Sequence, residues 1–138
     1  MTELEQLKRV IKQSSDLSRG GQDLQALALL DESLTLAIRE NRAMWIRILS
    51  HHAAVISDSM GDAFRVRQYY ERSLAANPDN PMALYGLAKA LQRLGEAELA
   101  KEYATRSYRA VQHNDGALER GLIELIAATW PEIRESGQ

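Results

Sequence analysis

The chain repeats itself at a fixed interval. A shift of 34 residues lays Gly61 on Gly95, Tyr69 on Tyr103, Arg72 on Arg106, Ser73 on Ser107, Ala76 on Ala110 and Ala54 on Ala88. The string "YYERSLAA" falls on "YATRSYRA". A recurrence of this length marks an array of small units, none of which can bury its apolar face alone. Neighbouring units must therefore stack, and any function has to sit on a surface that the stack creates.

Sparse prolines and glycines divide the chain into helices. Thr2 and Glu5 fit a capping box ahead of Leu4, Leu7, Val10, Ile11 and Leu17, which recur at helical spacing. "RGGQD" ends that helix, and a second runs from about Asp23 to Arg39 with Leu24, Leu27, Leu30, Leu34 and Ile38 on one face. A third spans Ala43 to Met60 and stops at Gly61, and a fourth covers Asp62 to Ala76. Pro78 cannot continue a helix, whereas Asn80 suits an N-cap and Pro81 a first helical turn. The fifth helix thus runs from Pro81 to Leu94, with Gly95 as a left-handed cap. A sixth covers Ala97 to Val111, "HNDG" breaks the chain, and a seventh runs from Ala117 to Thr129 before Trp130, Pro131 and a polar tail at 132–138. No alternating strand pattern appears, so the expected class is all-α.

Composition and motifs remove several functions. A formal net charge of −2 argues against a broad nucleic-acid surface. The absence of cysteine excludes thiol catalysis, thiolate metal sites and disulfides. The N-terminus lacks the apolar core of a signal peptide, and no stretch approaches the roughly 20 apolar residues of a membrane span, which predicts a soluble, cytoplasmic protein. His51 and His52 are adjacent, so on a helix they point about 100° apart and cannot share one metal; His113 stands apart from both. No phosphate loop, His-Glu-x-x-His pattern or nucleophile elbow is present. Neither catalysis, nor a metal, nor a cofactor is expected.

A helix–turn–helix period of this length resembles the tetratricopeptide repeat family. In the unit that starts at Pro81, the family's framework positions hold Leu84, Leu87, Ala88, Leu91, Gly95, Ala100, Ala104, Ser107 and Gln112. The preceding unit offers Ser50, Ala53, Ala54 and Ser57, then Gly61, Val66, Tyr70, Ser73 and Pro78. The first offers Val10, Ser14, Leu17, Gly21, Ala26, Leu30 and Ser33, with about six extra residues before the next unit, so its second helix should be longer than usual. The seventh helix looks like half of a fourth unit, with Leu118 and Leu125 in register, and it would cap the stack. The resemblance implies one domain over 1–138: repeats at 3–40, 43–78 and 81–113, a capping helix at 116–130, and a right-handed α–α superhelix.

It also implies a site. In the family the first helix of each unit lines a concave groove. The matching positions are Ile48, His51, Val55, Asp58 and Ser59, then Met82, Tyr85, Lys89, Gln92 and Arg93, and in the half unit Glu119, Ile123 and Ile126. Two readings stay open for the apolar members: a recognition patch, or burial by neighbouring helices or a second copy. Lys89 and Arg93 share a helix face and could grip a carboxylate. The family's basic clamp for chaperone tails is absent, because its positions hold Ile11, Ser15, His52, Met82 and Gly86. The implied function is a non-catalytic interaction module that binds a peptide or helix of a partner protein. The alternative is a self-assembling subunit, a homo-oligomer built on the C-terminal helix and Trp130.

Overall fold

A computed structural model describes residues 1–112 and 116–136, without the side chains of 117–119, 135 and 136. His113, the side chains of Leu118 and Glu119, and the end of the polar tail lie outside the described residues. The described elements are α1 (Glu3–Arg19), α2 (Asp23–Arg39), α3 (Ala43–Ser59), α4 (Ala63–Ala76), α5 (Pro81–Arg93), α6 (Ala97–Val111), α7 (Ala117–Thr129) and α8 (Pro131–Ser136). No strand occurs among them.

Helix ends follow local chemistry. Thr2 and Glu5 form the capping box, each side chain accepting from the other's backbone N–H at 3.2 Å. Asn80 caps α5 by accepting from the Met82 N–H at 3.2 Å, and Pro81 occupies the first turn, where no donor is needed. Within each pair of helices the turn is the same. Gly21, Gly61 and Gly95 have φ of 82°, 75° and 85°. The residue after each glycine donates back across the turn, Gln22 to Leu17, Asp62 to Ser57 and Glu96 to Leu91, at 2.8–3.0 Å. This closure needs a left-handed residue, which glycine supplies at little cost.

The seam between the first and second units uses the same device with a different residue. Asn41 has φ 55°, and Arg42 N–H donates to Ala37 at 2.9 Å. The seam after α4 is instead extended, with Asn77 outside the helical region ahead of Pro78. The expected lengthening is present: α2 has 17 residues against 14 in α4 and 15 in α6.

Each helix packs chiefly on its sequence neighbours, as a solenoid requires. Small residues at the crossings, Ala54, Ala88, Ala100, Ala104 and Ser107, are fully buried and let helix axes approach; Leu49, Leu84, Leu87 and Leu91 fill the space between. Units are also tied by polar links. Tyr69 donates to Asp31 at 2.7 Å, and Arg67 pairs with Glu96 at 2.7 Å.

The ends depart from the expected pattern in three places. On α2, Leu24 and Ile38 are exposed, and Ala26 and Ala37 take their place in the core beside Leu27, Leu30 and Leu34. On α7, Leu125 is 52% exposed while Leu122 and Ile126 are buried. Matching Leu122 and Ile126 to Leu87 and Leu91 requires a spacing of 35 residues, one more than the interior period. The buried stripe of α7 is thus displaced by one residue, about 100° around the helix, from the interior period. The expected tail is likewise structured over Pro131–Ser136: α8 buries Ile133, and Lys101 lies 3.7 Å from Glu132. α8 follows α7 directly and packs against α7 and α6.

Candidate functional site

Two adjoining clefts run between α3 and α5, over α4. The first, of about 150 Å³, is lined by Val55, Asp58, Tyr70, Met82, Lys89 and Arg93, with Tyr85 and Gly86 at its base. The second, of about 370 Å³, is lined by Arg47, Ile48, His51, His52, Tyr70 and Met82, with Ser73 and Asn80. Tyr70 and Met82 belong to both and form the ridge between them.

Eight of the thirteen residues put forward from sequence for the groove meet here: Ile48, His51, Val55, Asp58, Met82, Tyr85, Lys89 and Arg93. Val55 is 51% exposed, an apolar side chain offered to solvent at the centre of α3. Ile48 and Met82 are half-buried against the core. Tyr85 is only 9% exposed and belongs to the core, although it also lines the cleft. Gln92 is exposed on α5 and does not line either cleft. Ile123 is half-buried against the core on α7, outside both clefts. Ile126 is fully buried, a consequence of the turned register of α7.

Electrostatics divide the two clefts. In the first, Arg93 forms an ion pair with Asp58 across the gap between α5 and α3. Lys89 lies over the Tyr85 ring, its Nζ 5.5 Å from the centroid. The expected pairing of Lys89 with Arg93 as one carboxylate grip is therefore altered, because Arg93 already holds a carboxylate. In the second cleft Arg47, His51 and His52 meet no carboxylate among its lining residues.

The ridge is held from both sides. The Tyr70 hydroxyl lies 3.2 Å from His51 Nδ1. Burial, with Asp58 nearby, pushes the Tyr70 phenol up to about 12, so it keeps its proton at neutral pH. Burial, then His52 and Arg47, lower the His51 pKa and hold the ring toward its neutral form. Burial lowers His52 as well. Under the ring of Tyr70 lies Gly86, and a Cβ there would run into the ring. Glycine inside a helix costs stability; here it makes the seat for an aromatic ridge.

Sequence reasoning gave Tyr70 only a framework position and gave Arg47 none. The readable signal for Tyr70 was Gly86, a glycine in the middle of an otherwise good helix-forming run.

A tetratricopeptide repeat family model matches residues 69–102. That window begins in α4, crosses the Asn77–Asn80 seam and ends in α6, one full period of the internal repeat. The chain thus carries one tetratricopeptide repeat unit that a family model matches. Its fold matches the C-terminal TPR-containing domain of an FK506-binding protein of Plasmodium falciparum, with a TM-score of 0.64 at 18% identity, over 98% of this chain and 97% of that one. At that identity the likeness concerns the fold. No curated protein matches the sequence. Tetratricopeptide repeat proteins bind other proteins and are generally non-catalytic. Among the described residues of this chain, no helix is long and apolar enough to cross a membrane.

Proposed function

We propose that this protein is a non-catalytic interaction module that takes a peptide or helix of a partner protein into the concave groove between α3 and α5. One observation carries the reading: Val55 is half exposed in an apolar cleft whose walls, Met82 and Tyr85, are built into the core. A rigid apolar trough rimmed by charges suits a segment that presents apolar side chains at regular spacing. Among the described residues no three histidine, cysteine, aspartate or glutamate side chains gather as a metal site.

Val55→Glu tests it. The residue is exposed, so the variant should fold and melt like the parent, while a charge in the middle of the trough should abolish partner capture from the native host. Capture of the same partners by Val55→Glu would overturn the groove as the binding surface. Trp130, the aromatic expected to support self-assembly, is 5% exposed within its own chain and belongs to the core cluster.

A further inference from the structure

We infer that the second cleft is a carboxylate subsite: Arg47, His51, His52 and the N-terminus of α5 receive an aspartate or glutamate side chain of the bound segment, next to the apolar side chain seated at Val55. The inference rests on the groove reading and deepens it by naming the chemistry of the occupant.

Three observations carry it. First, the cleft is rich in donors. Arg47 presents a guanidinium, and His51 and His52 share its rim. The first turn of α5, at Asn80 and Met82, turns the positive end of a thirteen-residue helix toward the same space. Second, its acceptors are committed. Asn80 Oδ1 takes the Met82 N–H, and His51 Nδ1 faces the Tyr70 hydroxyl. Arg47 has no carboxylate partner among the described residues. The neighbouring cleft differs on this point, since Asp58 already answers Arg93 there. Third, the charge count favours a monoanion. Arg47 is the only permanent charge in the lining, while both imidazoles are held toward their neutral forms. One guanidinium with neutral N–H donors matches one carboxylate; a phosphate dianion would want a second fixed cation. The space of about 370 Å³ admits a side chain of that size together with its flanking backbone.

A displayed library of random dodecamer peptides, selected on the whole protein at neutral pH, tests the assignment. Binders that Val55→Glu abolishes are groove ligands, and they should share an aspartate or glutamate beside apolar residues. The affinity of such a peptide should fall about tenfold or more in Arg47→Gln, the range of a lost charge-assisted hydrogen bond. An equal fall should follow from replacing the peptide's own carboxylate by its amide. Arg47 is exposed, so melting curves of the variant should overlay those of the parent. Groove ligands without acidic residues, or ligands indifferent to Arg47→Gln, would overturn the subsite and leave the groove reading standing. A phosphoserine version that binds more tightly than the glutamate version would overturn the choice of a monoanion. A selection that yields no binder sensitive to Val55→Glu would remove the groove reading and the subsite with it.

Discussion

The two clefts share a wall, yet their charges are arranged in opposite ways. On one side of Tyr70, Arg93 and Asp58 neutralise each other and Lys89 rests on an aromatic face. On the other, Arg47 and two histidines face a space with no acid to answer them. The same pair of helices, α3 and α5, thus offers an apolar, self-satisfied trough and a positively polarised one. A helical array makes this possible because framework residues set the spacing of the helices, and the groove-facing positions are left free to differ from unit to unit.

The ridge separates the two, so removing it should produce the largest effect. Tyr70→Ala should cost about 3 kcal/mol, the scale of a buried aromatic truncation, and should merge the clefts. Denaturant titration would show it as a lower midpoint at an unchanged slope. Gly86→Ala comes next. The added methyl meets the Tyr70 ring, a cost of about 1–3 kcal/mol from overpacking, set against about 1 kcal/mol gained in helix propensity. A net loss is expected in the parent. In the Tyr70→Ala background the ring is gone, so the same change should become stabilising. A sign that does not reverse would show that Gly86 is not the seat of Tyr70.

Smaller effects probe each side in turn. Tyr70→Phe keeps the ring but deletes the hydroxyl that faces His51 and should cost about 1 kcal/mol. Acidification addresses the histidine side. Burial lowers the folded pKa of His51 and His52, so below about pH 6.5 the unfolded chain takes up protons that the fold refuses. Stability should hold above that value and decline as the pH falls through it. The double variant His51→Gln, His52→Gln should flatten the decline, as read from melting temperature against pH. Least affected should be Arg93→Ala. Both partners of its ion pair are about half exposed, and exposed pairs contribute under about 1 kcal/mol.

Most of the fold was legible because its signals are local. Pro78, Asn80, Pro81 and the glycines at 21, 61 and 95 act on the backbone within a few residues, and each sits where the sequence placed it. Asn41 was missed because asparagine in a left-handed cap looks like any surface polar residue. The register of α7 failed for a different reason. A 34-residue period extrapolated past α6 assumes constant spacing, and the buried stripe of α7 instead follows a spacing of 35, at Leu122 and Ile126 in place of Leu125. For the site, the first-helix positions gave the walls, since they follow the period. The ridge was not legible, because Tyr70 lies on a second helix and its reach into the groove depends on a missing side chain at Gly86 in the next unit.

The central claim is that a partner segment lies between α3 and α5. A titration of the isotopically labelled protein with a library-selected peptide, followed by amide chemical shifts, tests it most directly. Shifts should concentrate at Ile48, His51, Val55, Met82 and Lys89, with little change at the outward residues Glu71 of α4 and Glu102 of α6. Shifts centred on the outward faces of α4 and α6, with Val55 and Lys89 unmoved, would contradict the account.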